Sequence, residues 1–394
     1  MEQQRRTAHN GWYHETQSSQ QEPRSFELGA QLVQDRFLLG LDQDIAPSLR
    51  QNLQQYSGLF AASRAAYNTL FADDILLSRS CTLSLYDRLS SALTVAQVTG
   101  IQVLCSHYAA RLAPLDSPDA SRESNIRQTH ITQFSRLLAT QPTSITADML
   151  HQLENVGLST KDIVTFIQLI GFVSYQARVL AVINAARGKP AAVLPGFPEP
   201  ENTEQRGFSL QMLQWTSRLT EINLQQATHQ QLDALDLSAP NARSSSFYRL
   251  LIQDERLLEE YSAIFSHIMR GENGETGLVQ ELAATTTSRL NGCLYCTGIH
   301  ARAYLELGGD KQQITRLFDE KNGERYATIG SNVLLNNVAI LTRTPQRFDA
   351  KSLNTLIASG YDDTQSFKIL LTSALFSWAN RLIQTLGNVH PVAK

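Results

Sequence analysis

Two cysteines and a histidine on one short segment are the residues of this chain best suited to chemistry. The segment NGCLYCTGIHARAYLELGG, residues 291–309, places Cys296 three residues after Cys293 and His300 four residues after Cys296. Because an α-helix turns by about 100° per residue, these three positions fall within a stripe about 60° wide. The spacing therefore predicts a Cys-Cys-His cluster on one face of a helix.

A dithiol with this spacing is suited to redox chemistry. A thiolate is a nucleophile, and a second thiol one helical turn away can form a disulfide with whatever the first thiol becomes. Asn291 and Gly292 indicate a helix start, so we expect Cys293 in the first turn, where free N–H groups and the helix dipole lower the pKa of a thiol. His300 lies one turn beyond Cys296 and could accept its proton.

An acidic residue on the preceding segment completes the candidate set. Glu281 lies 12 residues before Cys293, within the predicted helix LVQELAATTTSRL. If the chain turns back after this helix, the carboxylate would reach His300 and could orient its ring or relay a proton. The predicted catalytic residues are Cys296, Cys293, His300 and Glu281.

Two other roles stay open for the cysteines. A structural zinc ion needs four protein ligands, and Cys-Cys-His supplies three, so the fourth would have to come from Glu281 or from another subunit. Unpaired cysteines are also common in protein cores as small apolar groups. The shared phase of both thiols with His300 favours redox chemistry over these alternatives, and no metal ion is expected.

Nearly the whole chain has the pattern of helices. Apolar residues recur at i, i+3, i+4 and i+7, as in LLEEYSAIFSHIM at residues 257–269, and few segments alternate as strands do. Ser159 and Asp310 stand where helix starts are expected. The most apolar stretch begins at Thr165, and its internal glutamines and arginine indicate a buried helix and not a membrane span. The predicted fold class is all-α.

The chain contains two similar halves. VGLSTKDIVTFIQLIGFVSYQARVL, from Val156, aligns without a gap with SGYDDTQSFKILLTSALFSWANRLI, from Ser359. Upstream, LTVAQVTGIQVLCSHYAARL, from Leu93, aligns with TTTSRLNGCLYCTGIHARAY, from Thr285. Such self-similarity indicates a repeated unit. We predict a disordered tail at 1–25, a helical domain at 26–188, a proline-rich linker at 189–206 and a second helical domain at 207–394.

The polar set occurs in the second half alone. In the first half, the positions of Cys293, Cys296, His300 and Glu281 are taken by Ile101, Leu104, Tyr108 and Leu89. The first half is therefore interpreted as a degenerate copy. Two arginines that recur in both halves, Arg178 and Arg381, are expected to be tied to a helix end or to an acidic neighbour.

The composition and motifs of the sequence indicate which classes of partner and cofactor are not expected. The 394 residues have a formal net charge of −3 and are 42% hydrophobic, so neither a nucleic-acid partner nor a membrane is expected. The polar N-terminal residues lack the apolar core of a signal peptide, and four cysteines are too few for a disulfide framework, which indicates a cytoplasmic protein. The sequence has no GxGxxG or Walker motif, and no cofactor is expected.

The spacing of the polar set resembles that of a known superfamily. Glu281, eleven residues, Cys293-Leu-Tyr-Cys296, three residues and His300, flanked by SRLNGCLYC and HARAYLELG, is similar to the alkylhydroperoxidase D and carboxymuconolactone decarboxylase superfamily. The resemblance covers both halves and is specific in the second. It implies two tandem alkylhydroperoxidase D-like helical domains fused in one chain.

What the resemblance implies is a thiol-dependent peroxidase. Cys296 would attack a hydroperoxide and become a sulfenic acid, Cys293 would then close a disulfide, and Glu281 with His300 would form the proton relay. Tyr295 stands where some peroxidase members carry a histidine. A dithiol protein, lipoyl or thioredoxin-like, would supply electrons, and the chain would form a homo-oligomer. A general dithiol–disulfide oxidoreductase or redox sensor is the alternative, and a non-redox assembly module is a third reading.

Overall fold

The computed structural model describes residues 34–45, 47–193, 207–270, 277–319 and 332–392. The predicted tail at 1–25 lies outside the described residues, as does most of the predicted linker, at 194–206. Residues 189–193, where that linker begins, contain neither helix nor strand.

Helices account for almost all of the regular structure before residue 193. In chain order they are α1 (Pro47–Gln54), α2 (Ser57–Leu70), α3 (Leu85–Thr99), α4 (Gln102–Leu112), α5 (Arg122–Thr140), α6 (Ala147–Asn155) and α7 (Thr160–Ala186). Short 3-10 turns lie at Leu41–Asp44 and Pro142–Ser144.

The remainder of the chain adds nine helices among the described residues and a two-stranded ribbon. They are β1 (Leu213–Ser217), α8 (His229–Ser238), α9 (Ser246–Leu251), α10 (Glu255–Met269), α11 (Leu278–Leu290), α12 (Leu294–Glu306), α13 (Lys311–Asp319), α14 (Val333–Arg343), α15 (Ala350–Ala358), α16 (Asp363–Leu386) and β2 (Gly387–Pro391). The all-α prediction is confirmed, and the small ribbon is the feature it missed.

Helix starts follow the predicted signals. Ser159 is the N-cap of α7, and a reciprocal capping box joins its side chain and backbone to Asp162. The helix that it starts is long and apolar enough to cross a membrane, but every residue of its most apolar window is buried inside the molecule. The expectation of a core helix is therefore confirmed.

The ribbon pairs β1 and β2 antiparallel, with Leu213 opposite Pro391 and Ser217 opposite Gly387. A Cβ at Gly387 would lie 2.0 Å from the Trp215 ring, so glycine is required where the indole crosses β2. Trp215 Nε1 donates to the carbonyl of Ile383 at 2.9 Å. The ribbon thus fixes this indole against the C-terminal turn of α16.

The order of helices recurs along the chain. Pro142–Ser144 with α6, and Pro345–Arg347 with α15, form the same pair of elements 203 residues apart, each followed by a long helix. Gly100 and Gly292, which the sequence alignment pairs, both adopt left-handed backbone, with φ of 73° and 75°. This recurrence supports the proposed repeat, while the domain boundaries stay a prediction.

The two halves share one core. The long helices α7 and α16 pack along each other at its centre, and buried apolar residues of both halves form one continuous cluster. Trp378 of α16 fits against Gly171 of α7, where a Cβ would lie 2.2 Å from the indole. Its Nε1 donates to Gln168 Oε1 at 2.7 Å. The second half is thus packed directly onto the first.

Each half contributes one buried arginine that donates hydrogen bonds to backbone carbonyls of the other half. Arg381 donates from Nε to the carbonyl of Leu138 at 3.0 Å and from Nη2 to that of Ala139 at 2.5 Å, at the end of α5. Arg178 donates from Nη2 to the carbonyl of Thr342, at the end of α14. Burial lowers the pKa of Arg381 to about 10 and that of Arg178 well below its usual value. Both arginines are tied to helix ends, where carbonyl groups favour a cation.

Replacing Arg381 by methionine should lower the free energy of unfolding by about 2–4 kcal/mol, because two buried carbonyls lose their donors. Chemical denaturation of the two proteins measures the difference. Arg136→Met, an exposed change on the same helix as those carbonyls, is the matched control and should alter stability by less than about 0.5 kcal/mol. Equal stability of Arg381→Met and the parent chain would contradict a stabilising role for this contact.

Another contact between the halves should depend on pH. Glu260 on α10 accepts a hydrogen bond from Thr69 Oγ1 on α2 at 2.7 Å. Its other oxygen is buried without a hydrogen-bond partner among the described residues. Burial raises the pKa of Glu260 from 4.5 to about 7. The folded protein therefore binds this proton more tightly than the unfolded chain, and stability falls as the pH rises from 4.5 to about 7.

The variant Glu260→Gln should not lose stability between these pH values, because glutamine has no carboxyl group to ionise. At about pH 8 it should be more stable than the parent by about 1–2 kcal/mol, a figure discounted because the side chain is partly exposed. At about pH 4, where both folded and unfolded carboxyls are mainly protonated, the two proteins should be nearly equal. Thermal unfolding at both pH values tests this, and a constant difference between the proteins would refute the assignment.

Candidate functional site

A tight turn between α11 and α12 creates the site. Gly292 has a φ of 75°, which a side chain would disfavour. Its N–H bonds to the carbonyl of Arg289 at 3.2 Å, and the N–H of Cys293 bonds to that of Ser288 at 2.9 Å. These two hydrogen bonds form a Schellman motif that closes α11. The chain then reverses, as predicted, and α12 packs back against α11.

The two thiols lie together at the start of α12. Cys293 and Cys296 are both free, and their sulfurs are 2.8 Å apart. Cys293 is the N-cap residue, one position earlier than predicted, and its sulfur accepts a hydrogen bond from the N–H of Cys296 at 3.4 Å. The sulfurs thus face each other on one side of the helix, as the spacing predicted.

The environment of Cys293 overrides the effect of the helix terminus. Cys293 is fully buried, whereas Cys296 keeps 5% of its surface exposed. Burial raises the pKa of Cys293 well above its usual value, and the hydrogen bond and charge of Cys296 raise it further. The expectation that the first turn lowers the pKa of this thiol is therefore wrong, because desolvation outweighs the helix dipole.

Glu281 and His300 meet across the two helices. Oε2 of Glu281 lies 2.7 Å from Nδ1 of His300, and the two side chains are 3% and 14% exposed. Because a carboxylate oxygen accepts, the hydrogen bond is made with a proton on Nδ1 of His300. The rings of His300 and of Phe376, which lies on α16, meet edge to face with their centroids 4.6 Å apart. The predicted contact is present, while the catalytic roles of its members stay predictions.

Asn380 is a site residue that the sequence interpretation missed. Fully buried on α16, it donates from Nδ2 to Ser288 Oγ at 3.0 Å and accepts from Asn291 Nδ2 at 2.9 Å. Its amide also acts to lower the pKa of the Cys293 thiol. In the gapless alignment of the halves Asn380 falls on Ala177, so the comparison that marked the cysteines contained this signal too.

Cys296 and His300 line a cavity of about 560 Å³. Aromatic side chains form much of its wall, and a short polar segment borders it: these residues are Trp215, Phe247, Tyr248, Tyr261, Phe265, Tyr295 and Phe376, with Asn241 and Ser244–Ser246. A cavity of this size and lining is typical of sites for small organic molecules. Cys296 is therefore the sulfur that a molecule in this cavity would meet.

The corresponding positions of the first half hold no such site. Leu89, Ile101, Leu104 and Tyr108 are all buried in the core. The hydroxyl of Tyr108 donates to Gln176 Oε1 at 2.6 Å and fills the place of His300. Among the described residues, no group of three His, Cys, Asp or Glu side chains is arranged to hold a metal ion.

Fold and site together define a class: the protein is all-α and has a buried dithiol beside a Glu–His pair. Residues 260–320 match the model of the carboxymuconolactone decarboxylase family. The matched segment includes Glu281, Cys293, Cys296 and His300, and members of the family are enzymes of decarboxylase or peroxidase-like type. No curated protein matches the chain. Residues 260–320 of the chain are thus similar to this family, and a second copy in the first half stays a prediction.

Replacing Asn380 by leucine should raise the pKa of Cys293 by about one pH unit, because the thiolate loses the polar amide that acts to stabilise it. The ultraviolet absorbance of the thiolate, followed against pH, measures this in a chain whose other three cysteines are serine. Asn337→Leu, at a buried asparagine on α14 that bonds to the carbonyl of Val333, is the control and should leave the titration unchanged. An unshifted titration in Asn380→Leu would show that the amide does not act on this sulfur.

Proposed function

We propose that the protein is a thiol-dependent peroxidase that reduces hydroperoxides through the Cys293–Cys296 dithiol. The observation that carries the proposal is the placement of Cys296 and His300 in one cavity, with the second sulfur 2.8 Å behind the first. The family match to residues 260–320 supports a redox enzyme of this type.

In the first step the Cys296 thiolate attacks the distal oxygen of a hydroperoxide. The S–O bond forms as the O–O bond breaks, so that sulfur is oxidised to a sulfenic acid and the alkoxide leaves as the reduced product. Cys296 is the attacking sulfur because it lines the cavity, whereas Cys293 is fully buried.

The Glu281–His300 pair accepts and donates the proton that this step transfers. With Nδ1–H held by the carboxylate at 2.7 Å, Nε2 of His300 is available to accept the thiol proton and then to donate it to the departing alkoxide. The buried carboxylate stabilises the positive charge that the imidazole carries between these two transfers. Tyr295 also lines the cavity.

In the second step Cys293 resolves the sulfenic acid. The Cys293 sulfur attacks the sulfur of Cys296 as its thiol loses its proton, the S–O bond breaks, and the departing hydroxide takes up that proton and leaves as water. Because the sulfurs are already in contact, the step needs little movement of the helix start. Two electrons and two protons from a dithiol protein, lipoyl or thioredoxin-like, then restore both thiols.

The depth of the dithiol bears on the alternative of a general protein disulfide oxidoreductase. Cys296 is 5% exposed and Cys293 is fully buried, and the cavity of about 560 Å³ that Cys296 lines has room for a small hydroperoxide. The geometry therefore favours a peroxidase. Homo-oligomeric assembly and a cytoplasmic location belong to the proposal as predictions.

Single substitutions should separate the two steps. Cys296→Ser should abolish reaction with an alkyl hydroperoxide, because the attacking sulfur is lost. Cys293→Ser should still consume about one equivalent of peroxide per chain and then stop with a sulfenic acid that a dimedone probe traps. Stopped-flow measurement of peroxide loss, with mass analysis of the protein, distinguishes the variants.

Cys105→Ser is the control for this pair, because it removes a half-buried thiol of the first half and should change neither step. The opposite assignment, in which Cys293→Ser abolishes the first reaction and Cys296→Ser keeps it, would contradict the proposed order of the sulfurs. Turnover in both variants would contradict the mechanism as a whole.

A further inference from the structure

A second cavity lies next to the dithiol. Its volume is about 310 Å³, and Cys293 contributes to its wall while Cys296 contributes to that of the larger cavity. Tyr295 and Ile383 line both cavities and so stand between them. The proposed peroxidase reaction uses the larger cavity and leaves this one without a role.

The lining of the second cavity is basic and partly apolar. Arg218 and His390 face it, and none of the described residues that line it is acidic. Ile145, from the first half, and Val389, from β2, provide apolar wall. A pocket with this lining is suited to a ligand that joins an anionic group to a short apolar part.

Arg218 is held in place by neutral groups alone among the described residues. Its Nε donates to Asn388 Oδ1 at 2.8 Å, and Nη1 donates to the carbonyls of Ile145 and Thr385 at 3.3 Å each. No described residue accepts a hydrogen bond from Nη2. Partial burial lowers the pKa of Arg218, and no acidic group among the described residues offsets that effect.

Two other partly buried arginines of the described chain are each paired with a carboxylate. Arg127 pairs with Asp87 at 3.2 Å and Arg249 with Glu221 at 2.6 Å. A guanidinium that is partly desolvated and lacks a counter-ion is costly, and an oxyanion bound to it would offset that cost. Arg218 differs from the fully enclosed arginines of the core because it borders open volume.

We propose that this cavity binds a small organic carboxylate, with the carboxylate on Arg218 and the apolar part against Ile145 and Val389. The nitrogen of Arg218 without a described acceptor, Nη2, offers its N–H groups to one oxyanion group, and a single guanidinium balances the single charge of a carboxylate better than the higher charge of a phosphate. The site is independent of the proposed peroxidase activity. Because Cys293 borders the same volume, a bound carboxylate disfavours its thiolate through like-charge repulsion.

Titration calorimetry of the reduced full chain with hexanoate tests the site. Hexanoate should bind with one site per chain, and Arg218→Met should weaken the affinity at least about tenfold, because a charge-assisted hydrogen bond is lost. Arg243→Met removes an exposed arginine paired with Asp236 and should leave the affinity unchanged. Inorganic phosphate should bind more weakly than hexanoate.

A second pair of variants keeps the test valid if Arg218→Met fails to fold. Thr143 lines the cavity and Ser144, the next residue of the same turn, does not. Thr143→Phe should abolish hexanoate binding by filling the volume, whereas Ser144→Phe should preserve it. Absence of saturable binding to the parent chain, equal binding in Thr143→Phe, or binding of phosphate as tight as that of hexanoate would each overturn the proposal.

Discussion

The left-handed turn at Gly292 is the constraint on which the site depends. It ends α11 and reverses the chain within two residues, so that Cys293 becomes the N-cap of α12 and the two helices lie side by side. Residues 19 positions apart, Glu281 and His300, can then form a hydrogen bond of 2.7 Å. A helix that continued through this point would carry the acid and the histidine apart, at about 1.5 Å per residue.

The same turn has a cost that the surrounding structure offsets. It brings two thiols into the buried part of the molecule, and burial raises the pKa of Cys293. Asn380 offsets part of this rise in pKa. Its amide is hydrogen-bonded to Ser288 and Asn291, and it acts to lower the pKa of Cys293. The site thus needs α16 as well as the hairpin of α11 and α12.

Because α16 packs along α7, the first half of the chain supports a site to which it contributes no catalytic group. Trp378 rests on Gly171 and bonds to Gln168, and Arg381 holds the last carbonyls of α5. In return Arg178 reaches the end of α14. This reciprocal packing gives the first half a physical role, because it supports the helix that carries Asn380 and Phe376.

The sequence was sufficient for features set by neighbours along the chain. Spacing placed Cys293, Cys296 and His300 on one face, the Asn291–Gly292 pair indicated the reversal, and Ser159 marked a helix start that the capping box confirms. It was insufficient where distant segments meet. The pKa of Cys293 depends on burial by the assembled core, and the contact of Asn380 with the turn joins residues 89 positions apart. The β1–β2 ribbon likewise pairs two ends of the second half, which no local pattern specifies.

The most direct test of the account is to mix the fully reduced chain with one equivalent of an alkyl hydroperoxide and map its sulfurs by peptide mass spectrometry. The account predicts one Cys293–Cys296 disulfide for each peroxide consumed, formed far faster than free cysteine reacts, with Cys81 and Cys105 still reduced. A pair that stays reduced while peroxide remains, or oxidation spread equally over all four cysteines, would contradict it.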